Sequence, residues 1–171
     1  MAELERSRYE DLLMRYAAPL RRLAWAYTRD GQHGDDLFQE IALALWTALP
    51  RFRGDSSERT WVYRVAHNTA ISHMAGERRR RQREQTVNPP SEPSAVATQE
   101  RDLLRTQQQQ QLWRAVCGLP VADRQLVVLY LEGLAYSEIE GVTGVSQGNV
   151  ATRLTRIRQR LASQLRGEEA R

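Results

Sequence analysis

The chain has 171 residues, 41% of them apolar, with 25 basic side chains against 21 acidic ones, and every basic residue is Arg. That length holds one ordinary domain or two small ones and excludes a large multidomain enzyme. No apolar run approaches the roughly 18 residues of a membrane span and the segment Met1 to Glu10 is too polar for a signal peptide, so a soluble, cytoplasmic protein without membrane insertion is expected. The single cysteine, Cys117, and three histidines without ligand-like spacing, His33, His67 and His73, give no disulfide, metal or cofactor to expect. Cys117 reads as a small buried apolar group.

Apolar residues recur at helical spacing from the outset: Tyr9, Leu12, Leu13, Tyr16, Leu20, Leu23, Ala24 and Tyr27, with Pro19 as a place where the helix restarts. After Asp30-Gly31, either Asp35 or Asp36 can cap a second helix that buries Leu37, Phe38, Ile41, Ala44, Leu45 and Ala48 and stops at Pro50. A polar loop, Arg51 to Ser57, leads to a third helix with Trp61, Val62, Val65, Ala66, Thr69 and Ala70 inward, ending in Arg78, Arg79, Arg80, Arg81 and Arg83. Residues 84–98 carry Pro89, Pro90 and Pro93 with few apolar groups and read as a flexible linker.

Gln107 to Gln111, between Leu103-Leu104 and Leu112 to Val116, fits a polar-faced helix better than disorder. A helix opened by Leu119-Pro120 follows, carrying Leu126, Val127, Leu129 and Tyr130, with Gly133 at its C-cap. Tyr136 to Val142 then makes a short helix, Gly144-Val145-Ser146 a tight turn, and Val150, Leu154, Ile157, Leu161 and Leu165 one face of a last helix capped by Ser146. The expected fold is all-α: two small helical domains, 1–83 and 99–171, joined by the linker, the second a helix-turn-helix.

A helix-turn-helix places the outer side chains of its second helix in the major groove, which asks for short polar groups and Arg. Gln147, Asn149, Thr152, Arg153, Arg156 and Arg160 meet that description, in a stretch from Asn149 to Arg166 that contains no acid. A solvated helix face explains any single basic run, but two Arg clusters in two units favour a shared polyanion. Between Arg51 and Asn68, Phe52, Trp61 and Tyr63 alternate with Arg51, Arg53, Arg59 and Arg64. Rings interleaved with Arg suit unpaired nucleotides, whose bases stack while guanidinium groups follow the backbone. By periodicity Trp61 is also at least half core. Gly54-Asp55-Ser56 and Asp30-Gly31-Gln32-His33 spell elements of an esterase, yet that serine needs a strand-to-helix elbow and this loop joins two helices. No enzyme is expected.

Two blocks, DDLFQEIALALWTALPRFRGDSSERTWVYRVAHNTAI and LPVADRQLVVLYLEGLAYSEIEGVTGVSQGNVATRLTRIRQRL, together resemble the extracytoplasmic-function (ECF) sigma factors, the smallest promoter-recognition subunits of bacterial RNA polymerase. The resemblance implies that Asp36, Gln39 and Glu40 dock on a coiled coil of the polymerase, where their ordinary roles are a helix cap and plain solvent exposure. It implies that Phe52, Arg53, Asp55, Ser56, Arg59, Trp61, Tyr63, Arg64 and Asn68 serve the minus-ten element as single strand, Phe52 and the loop through Ser57 walling the pocket for a flipped base. Gln147, Asn149, Thr152, Arg153, Arg156 and Arg160 then serve the minus-thirty-five element as duplex. The implied partners are core RNA polymerase, promoter DNA as duplex and as unpaired non-template strand, and an anti-sigma factor where one exists. The linker would thread the polymerase's active-site and RNA-exit channels. Ala151 stands where many relatives carry Arg or Lys and Asn149 where Thr is usual, while His67 and His73 read as surface histidines. An autonomous helix-turn-helix regulator is the alternative, and it leaves the Trp- and Arg-rich loop unexplained.

Overall fold

A computed structural model describes residues 2–28, 31–87 and 107–169. Among them are seven α-helices and no strand: α1 (Ala2–Thr28), α2 (Gly31–Ala48), α3 (Glu58–Val87), α4 (Gln107–Cys117), α5 (Val121–Leu131), α6 (Tyr136–Thr143) and α7 (Gln147–Glu169), with a single 3-10 turn at Leu49–Arg51. The all-α expectation holds. Two compact units form, one from Met1–Asp55 and Val65–Ala97, the other from Ser56–Arg64 and Thr98–Arg171. The first turns of α3 are thus grouped with the C-terminal helices. Residues 88–98 of the expected linker, Asp30 and Leu103-Leu104 lie outside the described residues, as do the side chains of Arg81 and Arg166.

In the first unit α1 and α2 lie antiparallel, because Tyr9 near the start of α1 meets Trp46 near the end of α2 edge to face at 5.0 Å, and its hydroxyl donates to the Ala42 carbonyl at 2.9 Å. At the other end Trp25 Nε1 donates to Asp35 Oδ1 at 3.3 Å. Leu12, Leu20, Leu23 and Ala24 of α1 and Leu37, Ile41 and Leu45 of α2 are fully buried. The close approach depends on Gly34, where an added Cβ would stand 1.8 Å from Cδ1 of Trp25. Two expectations change. Helix α1 runs through Pro19 without restarting, although proline has no N–H to return to the Arg15 carbonyl. Helix α2 starts at Gly31, ahead of both Asp35 and Asp36, so neither caps it, and Asp35 is used by Trp25 instead.

Helix α3 is rotated from the expected phase. Thr60, Val62, Tyr63, Ala66, His67 and Ala70 are buried, while Trp61, Val65 and Thr69 are half-buried. His67 enters the core because its ring has a partner there: Nδ1 lies 2.6 Å from the Tyr27 hydroxyl. A paired polar group can be buried at little cost, so the apolar pattern alone misplaced the stripe. His67 is therefore no surface residue, and His73 is half-buried with Nδ1 3.1 Å from Glu40 Oε2.

In the second unit α7 touches α4, α5 and α6. Val150, Leu154, Ile157 and Leu161 form its buried stripe, as spaced in the sequence, with Leu165 half-buried at its end. Helix α5 is buried on all sides from Arg124 to Leu129, and Arg124, 1% exposed, donates through Nη2 to the Leu119 carbonyl at 3.1 Å. Tyr130 is 36% exposed, and Cys117, expected buried, is only half-buried. Gly133 ends α5 in the left-handed conformation, φ 79°.

Two outcomes are expected in thermal unfolding of the full chain. Gly34→Ala should lower stability by about 1–3 kcal/mol through overpacking against Trp25, whereas Gly76→Ala, with nothing within 4 Å of the new Cβ, should raise it by about 0.5–1 kcal/mol by removing a mid-helix glycine. Burial lowers the His67 pKa below its ordinary value, so the unfolded chain takes up that proton first as pH falls. Its contribution to stability is complete above about pH 6.5 and is lost as pH drops through the folded pKa. Midpoints measured from pH 8 to 5 should show this decline, and His67→Gln should flatten it.

Candidate nucleic-acid interface

On α2, Asp36, Gln39 and Glu40 are exposed, and their i, i+3, i+4 spacing puts them on one side. Leu43 continues that side one turn on and is 65% exposed; Trp46, three residues further, is 42% exposed. Glu40, Leu43, Ala44, Thr47, Ala48, Arg51 and Thr69 line a shallow, mostly apolar groove. The sequence reading missed Leu43 and Trp46, since apolar residues in an amphipathic helix pass for core. Their offset of two and one residues from Ile41 and Leu45 was the available signal.

In the loop after α2, Phe52 is half-buried with the Arg8 guanidinium 5.8 Å from its ring centroid. Arg53 and Asp55 are exposed on either side of Gly54, whose φ of 81° needs glycine, and Ser56 is half-buried. Ser57 caps α3: its hydroxyl accepts from the Thr60 N–H at 3.1 Å and its carbonyl from the Trp61 N–H at 3.0 Å. Tyr63 is 2% exposed and offers no ring to a base in this structure, whereas Trp61 keeps a partly open face and Asn68 is exposed. The second unit holds two of the arginines. Arg59 donates through Nη2 to the Glu132 carbonyl, and Arg64 through Nε to the Gly141 carbonyl at 2.8 Å. Both acceptors lie at helix C-termini, where the backbone dipole is negative.

The helix-turn-helix has its expected form. Gly144 takes φ 74° and its N–H donates to the Glu140 carbonyl at 2.8 Å, closing α6, and the Val145 N–H donates to Thr143 Oγ1 at 3.2 Å. At the start of α6, Glu138 accepts from the Ala135 N–H at 2.8 Å. Buried Ile139 and Val142 on α6 and Val150 and Leu154 on α7 fix the pair. Gln147, Asn149, Thr152, Arg156 and Arg160 are exposed. Gln147 donates its amide to Glu140 Oε2 at 2.8 Å, and Thr152 its hydroxyl to the Gly148 carbonyl at 2.9 Å. Arg153 differs from the others, being half-buried and bonded to Asp123 Oδ1 through Nε at 3.1 Å and Nη2 at 2.5 Å. Arg158 lies over the Tyr130 ring, 4.6 Å from its centroid. Thr155 and Gln159, absent from the sequence-based set, are exposed beside Thr152 and Arg156, as their spacing of three to four residues would have shown. Among the described residues no cluster of His, Cys, Asp or Glu could hold a metal ion.

Comparison with known proteins matches this geometry to one family. The sigma-70 region 2 profile matches residues 12–80, and the sigma-70 region 4 profile residues 109–161. The RNA polymerase sigma-H factor of Pseudomonas aeruginosa is 29% identical over 166 residues, covering 88% of this chain and 82% of its own. The ECF RNA polymerase sigma-E factor of Escherichia coli K12 is also 29% identical, over 86% of this chain and 81% of its own. The sigma factor RpoE of Bartonella quintana, solved in complex with the anti-sigma factor NepR, superposes with a TM-score of 0.75 at 21% identity, over 93% of this chain and 97% of that one. CnrH, solved with the cytosolic domain of CnrY, superposes with a TM-score of 0.65 at 20% identity, over 95% and 90% of the two chains. The chain belongs to the sigma-70 family and is an ECF-type sigma factor, a protein that directs transcription initiation.

Proposed function

We propose that this sigma factor binds core RNA polymerase through the α2 side carrying Asp36, Gln39, Glu40 and Leu43, and acts in the cytoplasm without catalysis of its own. Residues 1–83 serve docking and minus-ten recognition, 84–98 the linker, and 99–171 minus-thirty-five recognition. Thr152, Arg156, Arg160, Asn149 and Gln147 face the duplex. Phe52, Arg53, Asp55, Ser56, Arg59, Trp61, Arg64 and Asn68 serve the unpaired non-template strand, with Tyr63 supporting α3 from the core. Arg59 and Arg64 must leave their carbonyl partners to do so. RpoE, similar in fold, was solved with the anti-sigma factor NepR, which supports an anti-sigma partner here as well.

The observation that carries this reading is the exposed side of α7 from Gln147 to Arg160, which holds no acid, opposite a buried apolar stripe. An autonomous helix-turn-helix regulator would account for α6 and α7 but not for the region 2 match over residues 12–80. Ser56 lies in the loop before α3, a setting that does not favour an esterase, whose serine needs a strand-to-helix elbow.

A gel shift on promoter duplex, run with and without core polymerase, tests the proposal: tight specific binding by the chain alone would contradict it. With holoenzyme, Arg156→Ala should weaken duplex binding by about 1–3 kcal/mol if the guanidinium meets a base edge; unchanged affinity would remove it from the interface. Asn68→Ala should spare the closed complex and reduce permanganate reactivity of the minus-ten region, because flipping a base costs a few kcal/mol that a pocket must recover. Normal reactivity in that variant would argue against the assignment.

A further inference from the structure

We infer that Arg153 is a positioning residue and not a DNA contact: through Asp123 its guanidinium ties the recognition helix α7 to the first turn of α5, and so sets the angle at which α7 meets the duplex. The inference rests on the proposed reading of α6 and α7 as the duplex reader. Nε and Nη2 of Arg153 converge on one carboxylate oxygen, Oδ1 of Asp123, at 3.1 and 2.5 Å. The side chains are 33% and 27% exposed, so this is no loose surface pair. Arg153 follows Val150 by three residues and precedes Ile157 by four, and those neighbours are 0% and 4% exposed. It therefore leaves the helix at the margin of the buried stripe, whereas Arg156 and Arg160 are exposed.

Asp123 is anchored from the other direction too. It occupies the first turn of α5, where the positive end of the helix dipole favours a carboxylate. Swinging the guanidinium out to a phosphate would leave a half-buried carboxylate unpaired beside a polyanion, which opposes the move twice over. While the pair is intact its net charge is zero, so it releases no counterion when DNA binds. A structural arginine and a phosphate-binding one are thereby distinguishable by salt.

The experiment uses holoenzyme and a promoter duplex, with affinity for the closed complex measured across a range of salt concentrations. Folding of each variant is checked by circular dichroism. Arg156→Ala should lower the slope of log affinity against log salt by about one. Arg153→Ala should weaken binding by about three- to thirtyfold with the slope unchanged, and adding Asp123→Ala to it should weaken binding no further, as expected for a coupled pair. The exchanged variant Asp123→Arg/Arg153→Asp keeps an ion pair at the same place and should recover most of the lost affinity. If Arg153→Ala lowers the slope as Arg156→Ala does, or if Asp at position 153 abolishes binding despite Arg at 123, Arg153 meets DNA and the inference is wrong. If Arg156→Ala changes neither affinity nor slope, the duplex-reading role of α7 itself falls, and this inference with it.

Discussion

The second unit is organised by a single stripe, Val150, Leu154, Ile157 and Leu161, on a helix of 23 residues. Helices α4, α5 and α6 span 11, 11 and 8 residues, shorter than the roughly 12 to 15 at which isolated helices become even marginal in water. Each of them touches α7. They stay helical because covering that stripe rewards them for ordering, and in covering it they leave the opposite side of α7 in solvent. The exposed side of α7 is thus what remains when that stripe is covered. Gly144 completes the arrangement, since its left-handed turn lets α7 leave α6 at an angle that keeps Ile139, Val142 and Val150 buried.

Two arginine clusters suggest polyanion binding, yet many of the arginines serve the fold instead. Arg59 and Arg64 donate to carbonyls at helix ends, Arg124 to the Leu119 carbonyl, and Arg153 to a carboxylate. Arg21 and Arg158 lie over the Phe38 and Tyr130 rings at 4.7 and 4.6 Å. These are tasks for a planar fork with a flat, weakly hydrated face, which a lysine ammonium performs less well. Arg156 and Arg160 on α7 stay exposed, as do Arg78, Arg79, Arg80 and Arg83 at the end of α3. Composition counts the charges. Only the fold separates those that support the scaffold from those that face outward.

Much of this was legible in the sequence because helical spacing reports burial directly: the stripes of α1, α2 and α7, the turn at Gly144 and the polar helix over Gln107 to Gln111 appear where periodicity puts them. The reading went astray where polar groups satisfied one another. His67 and Tyr63 lie inward where Trp61, Val65 and Thr69 are only half-buried, because the pairing of His67 with Tyr27 spans 40 residues and no local pattern encodes it. The Asp123–Arg153 bond, across 30 residues, is of the same kind. Asp35 was legible as a carboxylate near a helix start, but its partner proved to be Trp25 in the preceding helix and not the backbone of its own. Leu43 and Trp46 were visible as apolar, and their exposure followed only once the phase of α2 was fixed by Leu37, Ile41 and Leu45.

The exposed side of α7 also constrains how much discrimination it can provide. Its middle holds Gly148, Thr152, Thr155 and Gln159, with Ala151 half-buried at one edge, so its side chains are mostly short and Arg156 is the long donor nearest the centre. Short hydroxyl-bearing residues let the backbone approach base edges closely but accept several bases, while one bidentate guanidinium discriminates by about 1–3 kcal/mol. A specific site commonly needs about 4–10 kcal/mol over random sequence. Arg156 counted alone supplies less than that range, and a second recognition event, in which strand opening is coupled to capture of a particular base, would add to it. A sigma factor that needs both events to commit has a physical reason to carry region 2 and region 4 in one chain.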